Sequence, residues 1–326
     1  NRVKYISSVF LRMLSLLIGV SIISFILVTN SPIDPLTSYI GAESTLSVEA
    51  KEEIADLWGL NDPPLERFAS WGKNVLKGDF GTSITYKQQV STVILERFKY
   101  SIVLMLVAWC FSGIVGFLIG VLAGIYKGSL FDKIVKIFCL ALQSAPTFWI
   151  GLLILSLFSV YLGWFPIGFA VPMGKLSLEI TIWDRIYHLI LPALTLSILG
   201  ISRVTLFTRQ KLIEILNSDF ILFAKARGEN TRQLVIRHGL RNIALPAITE
   251  QFASFSELFG GIALAETVFS YPGLGTATTA AGLNGDVPLL LGIAIFSAIF
   301  VFVGNFIANI LYGVLDPRLK EGKYNG

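Results

Sequence analysis

Six apolar runs, at about 5–28, 100–126, 134–162, 186–207, 245–265 and 288–315, recur along most of the length of this sequence. Each is close to or beyond the roughly 20 residues that a helix needs to cross a hydrocarbon core. A soluble domain carries about 25% charged residues, whereas this chain is 15% charged and 54% hydrophobic. The expected architecture is therefore all-α: a polytopic membrane protein with about six transmembrane helices. Arg2, Lys4 and Arg12 beside the first run raise the alternative of a signal peptide. Its apolar part is longer than the roughly 7–15 residues of a signal core and no A-x-A-like site follows, so it is read as a helix. The chain opens on Asn1 rather than Met, consistent with a few residues preceding it. Cys110 and Cys139 both fall inside apolar runs without metal-ligand spacing, and are expected as core residues.

Charge sets the expected orientation. Lys and Arg gather in short cytoplasmic loops, which places Arg2, Lys4 and Arg12, then Lys127, Lys133 and Lys136, then Arg318, Lys320 and Lys323 in the cytoplasm. Residues 267–287, "TVFSYPGLGTATTAAGLNGDV", hold no Lys or Arg and suit an outer loop. The net charge of +4 thus reflects orientation, with membrane lipid rather than nucleic acid as the partner. The domain plan that follows is a first transmembrane helix (1–29), an extracytoplasmic subdomain (30–97), a transmembrane core (98–317) carrying a cytoplasmic loop (217–243), and a cytoplasmic tail (318–326).

In the outer segment, Ser47, the acids after it and Gly59 specify one short helix. Helical spacing resumes at Leu65, Phe68, Trp71 and Val75. Gly116, Gly120 and Gly124, four apart in the second run, are a small-xxx-small face for close helix packing, either within the chain or against another subunit.

The stretch "DFILFAKARGENTRQLVIRHGLRNIALPAIT" (219–249) sets Lys225, Arg227, Arg232, Arg237, His238 and Arg241 into an otherwise apolar chain. Phe220, Phe223, Ala224 and Arg227 share one face of a short helix that Gly228 would end. Thr231 would cap a second, with Leu234, Val235 and His238 on one face, and Pro246 would open the next span. Anchoring to anionic headgroups explains the charges. It leaves the apolar faces and the glycine break unexplained, and an amphipathic elbow seated in a partner's groove accounts for them.

This stretch resembles the loop by which permeases of bacterial ATP-binding-cassette (ABC) importers, in the oligopeptide/dipeptide/nickel class, dock on their ATPases. "AKARG" (224–228) and "RHGLRNIALP" (237–246) carry the likeness, supported by "SPIDP" (31–35), "WGLNDPPLERFASW", "GDFGTS" (78–83), "SAPTFWIGLLIL", "ETVFSYPGLG" (266–275) and "LYGVLDPRL" in that order. The chain departs from the family pattern in the order of Lys225 and Arg227 and in Asn309, which stands where an acid is frequent, while Glu257 is closer to the nickel and metal-chelate members. The resemblance implies a type I importer permease with coupling residues Phe220, Phe223, Ala224, Ala226, Arg227, Gly228, Leu234, Arg237, His238, Arg241 and Asn242. It further implies a second, related permease, two cytoplasmic ATPases that use ATP and Mg, and an extracytoplasmic binding protein. The cargo would be peptides, nickel or metal chelates.

No phosphate-binding G-x-x-x-x-G-K-[ST] loop and no H-E-x-x-H motif is present, so neither ATP hydrolysis nor metal-dependent catalysis is expected of this chain, and no cofactor of its own. A stand-alone secondary transporter or channel is the alternative, and it would need ionisable groups at membrane depth. The candidates are few. Arg203 and Arg209 are expected to snorkel to the cytoplasmic interface. Glu257 requires a partner or a watery path. Glu266, Tyr271, Pro272 and Gly273 are expected at an outer mouth, either as a re-entrant gate or as a plain turn with Phe269 and Tyr271 as interfacial aromatics.

Overall fold

The computed structural model describes residues 2–30, 47–57 and 59–315. "SPIDP" and the 318–326 tail lie outside them, as does the side chain of Asn309. Among the described residues all regular structure is helical, apart from one isolated bridge between Thr82 and Gln89. The chain divides into two compact units, Asn1–Ser101 with Pro272–Val303, and Ile102–Tyr271 with Gly304–Gly326.

The first unit begins with α1 (Arg2–Thr29). In α2 (Val48–Leu57) the Ser47 hydroxyl accepts the Ala50 N–H at 3.2 Å, and Gly59 follows at φ +63°, as the capping residues require. In α3 (Pro64–Leu76), Phe68 and Trp71 pack with Phe25, Val287 and Leu291, the Phe25 and Phe68 rings 5.1 Å apart. Leu65, from the same predicted stripe, is exposed. Val90, Val93 and Ile94 open α4 (Val90–Ile125) and form a core with α12 (Leu274–Leu283) and the start of α13 (Val287–Leu315). The lysine-free 267–287 segment is therefore not a loop, since α12 occupies its middle. Asp286 is fully buried and caps α13 through the Leu289 N–H. It also accepts from the Ser83 hydroxyl at 2.6 Å and the Thr85 N–H at 2.9 Å, which is the structural use of the "GDFGTS" turn.

In the second unit, α4 continues against α7 (Ile182–Leu216). A methyl group at Gly116 would meet Val204 at 2.8 Å, one at Gly120 the Thr205 carbonyl oxygen at 2.7 Å, and one at Gly124 Leu212 at 2.9 Å. The glycine face packs within the chain. Cys139 is buried but Cys110 is exposed, so only one of the two cysteines is a core residue.

Two of the apolar runs are not single helices. α5 (Leu130–Ser144) and α6 (Thr147–Ile154, π-helical on to Tyr161) meet at 110°, because the residue before Pro146 is held extended. α10 (Leu240–Ala253) and α11 (Phe255–Val268) are separate helices that meet at Ser254. Among the described residues three helices are long and apolar enough to cross a membrane, Val90–Ile125, Ile182–Leu216 and Val287–Ile307, with the bent α5–α6 pair a fourth and Leu11–Leu27 a shorter apolar helix.

Candidate functional site

The basic stretch folds as an elbow on the end of α7. α8 (Asp219–Ala226) stops at Gly228, whose φ of +92° is a left-handed conformation that costs a residue with a Cβ about 1–2 kcal/mol. α9 (Thr231–Gln233) is capped by Asn230, not Thr231: Asn230 and Gln233 exchange side-chain-to-backbone bonds of 2.9 Å in both directions. The chain continues through a π-helical turn, Leu234–Gly239, straight into α10. Pro246 therefore sits inside a helix rather than opening one, because the span begins at Leu240.

The elbow is held by Ile221, Ala224 and Leu234, buried with Ile215 and Leu216, and by Gly239, where a methyl group would meet Leu212 at 2.9 Å. The expected apolar face of the first helix is thus rotated. Ile221 and Ala224 pack inward, while Phe220, Leu222 and Phe223 are about half or more exposed, as is Ile236. Ala226, Arg227, Arg237, Arg241 and Asn242 are also exposed. His238 is half-buried, its Nε2 3.1 Å from Glu229, and Asn242 donates to the His238 carbonyl at 2.7 Å. The result is a rigid base with an outward tip of aromatic, aliphatic and cationic side chains. Phe220, Leu222, Phe223 and Ile236 thus stay outside the elbow's own core.

Arg203 and Arg209 of α7 are each paired with a carboxylate of another helix. Arg209 reaches Asp132 of α5 with two bonds, 2.5 Å from Nε and 2.8 Å from Nη2, and the Gly128 N–H adds a third at 2.8 Å. The Asp132 side chain is 1% exposed. Arg203 pairs instead with Glu257, in the first turn of α11. That pair lies in a chamber of about 310 Å³ that Gln143, Thr147, Gly200 and Ser254 help to line. Asp132 was missed by the sequence reading because an acid three residues after Ser129 reads as an ordinary helix-start residue.

The turn after α11 buries Glu266, Phe269 and Tyr271 almost completely, so the two aromatics are not interfacial anchors. The left-handed residue is Ser270, at φ +47°, rather than a glycine, and Gly273 is extended. The Tyr271 N–H closes the turn on the Glu266 carbonyl at 2.8 Å, and the Phe269 carbonyl accepts from Phe169 at 2.9 Å. Pro272 is half-buried and Gly273 buried.

Residues 116–321 match the model of a family described as the binding-protein-dependent transport system inner membrane component. The chain is similar to the oligopeptide transport system permease protein AppB of Bacillus subtilis, 35% identical over 95% of this chain and 97% of that one. It is also similar to the di/tripeptide permease protein DppB of Pseudomonas aeruginosa, 33% identical over 95% and 98% of the two chains. The dipeptide permease protein DppB of Escherichia coli K12 is 30% identical over 94% and 95%. A chain from an inward-facing crystal structure of the MetNI methionine ABC transporter shares the fold, with a TM-score of 0.53 and 17% identity over 69% of this chain and 97% of that one. With a family match across most of its length and relatives aligned almost end to end, the chain belongs to the inner-membrane permeases of binding-protein-dependent ABC importers.

Proposed function

We propose that this permease forms half of the membrane channel of a peptide importer, paired with a second, related permease. Its elbow would seat in a cytoplasmic ATPase, and an extracytoplasmic binding protein would deliver the cargo. In this reading both chain termini and the elbow are cytoplasmic and the 30–97 segment is outside. ATP and Mg bind only the two partner ATPases. Closure of the ATPases moves the elbow, and the permease pair alternates between inward- and outward-facing forms. The relatives named above are all peptide permeases, which favours peptides over nickel or metal chelates as cargo.

The observation that carries the proposal is the elbow's division of labour. Its buried residues fix it to the end of α7, and Phe220, Leu222, Phe223 and Ile236 are left exposed. An anchor for lipid headgroups needs the cations but not an apolar tip.

The test is co-purification of the ATPases with Phe223→Asp. Because Phe223 is 67% exposed, the substitution should leave permease insertion and yield unchanged. ATPase recovery and stimulated hydrolysis should both fall by about tenfold or more, as expected for loss of a central apolar anchor. Undiminished recovery would overturn the docking role. Uptake driven by an ion gradient through the permease alone would instead establish a stand-alone carrier.

A further inference from the structure

The chamber around Arg203 and Glu257 stands where the bent α5–α6 pair and the α10–α11 junction meet α7. Gln143 and Thr147 flank the α5–α6 bend, Ser254 is the junction of α10 and α11, and Glu257 is in the first turn after it. In secondary transporters, helix breaks that line a cavity are where cargo sites are built, and the α5–α6 bend is a break of that kind. The volume of about 310 Å³ lies at the small end of the roughly 300–1,000 Å³ typical of ligand sites.

The ion pair does not have the form of a structural clasp. The Asp132 and Arg209 side chains are 1% and 12% exposed, whereas those of Glu257 and Arg203 are 63% and 42% exposed and face the chamber. An acid in a helix's first turn is stabilised by the helix dipole, which accounts for Glu257 alone but not for a cation placed opposite it in an open chamber.

We infer that Arg203 and Glu257 form a way-station for the two charged ends of a short zwitterionic peptide, a reading that rests on the peptide-importer function proposed above. In the empty chamber the two side chains neutralise each other. When a peptide enters, its carboxylate takes the place of Glu257 on the Arg203 guanidinium, which suits a planar two-bond contact, and its ammonium takes the place of Arg203 on Glu257. The exchange is charge-neutral throughout, so each side chain keeps a partner of opposite charge. Gln143 and Thr147 supply uncharged hydrogen-bonding groups around the backbone amides. A dipeptide of about 7 Å extended length suits a chamber of this size.

The experiment uses the whole importer, with both permeases, the ATPases and the binding protein, in proteoliposomes. Uptake of radiolabelled alanyl-alanine and alanyl-alanyl-alanine is measured beside ATP hydrolysis stimulated by loaded binding protein. Arg203→Gln and Glu257→Gln should each lower uptake by about tenfold or more while stimulated hydrolysis stays within about twofold of wild type. The double variant Arg203→Gln/Glu257→Gln is the deciding case. It carries no unpaired charge and should assemble normally, yet its uptake should stay as low as that of the single variants. Restored uptake in the double variant would show that the pair is only structural and overturn the inference. Parallel loss of stimulated hydrolysis in all three variants would assign the pair to assembly or coupling and overturn it equally. Failure of the peptide reading is seen separately: the wild-type importer would take up neither peptide before any substitution is made.

Discussion

Arg203 and Arg209 stand on the same helix, under two turns apart, and each holds one carboxylate from another helix, yet the two pairs are built for opposite ends. Arg209 and Asp132 are closed off, with three bonds converging on one carboxylate beside the α4–α5 turn. Arg203 and Glu257 are open, in a chamber beside the α5–α6 bend. A buried pair adds little net stability over an apolar replacement, but removing one partner strands the other charge. An open pair loses little stability when broken, because solvent compensates it. Exposure, more than ion pairing itself, separates scaffold from candidate site.

The comparison predicts a graded series. Asp132→Ala leaves Arg209 and the Gly128 N–H without their acceptor and should destabilise the purified permease by about 3 kcal/mol or more, read as a fall in thermal unfolding temperature in detergent. Gly120→Val drives a methyl group into the Thr205 backbone, and the overpacking of α4 on α7 should cost about 1–3 kcal/mol in the same assay. Gly228→Ala meets no atom within 4 Å but must hold the left-handed turn, so its cost should be only about 1–2 kcal/mol and confined to elbow order, measured as faster backbone hydrogen exchange in 219–230. Glu257→Gln should be the smallest, shifting stability by less than about 0.5 kcal/mol. A large destabilisation there would erase the distinction between the two pairs.

Local features were legible in the sequence where a few neighbouring residues decide them. Ser47 and Gly59 bound a helix, Gly228 ends one, and the glycine stripe marks a close approach, because caps, left-handed turns and small-residue spacing act within a turn or two. The reading failed where the deciding partner is distant. Asp132 and Arg209 are 77 residues apart, and no periodicity pairs them. The junction at Ser254 carries neither proline nor glycine, so the 245–265 run reads as one span. At the elbow, the spacing of Phe220, Phe223 and Ala224 indicated a helix but not its rotation, since Ile221 competes for the inward side and the packing against Ile215 and Leu216 decides. The likeness of the elbow to a docking loop was visible from residue order alone. The chamber was visible only as an unexplained acid.

The continuity of the elbow with α10 has a mechanical consequence. Gly239 passes directly into Leu240 without a loop, so under the coupling proposed above a displacement of the elbow would turn α10 like a crankshaft. Fourteen residues at about 1.5 Å each would carry that rotation some 21 Å to Ser254, which lines the chamber. Pro246, which removes one hydrogen bond from α10, is where such a rotation would yield first.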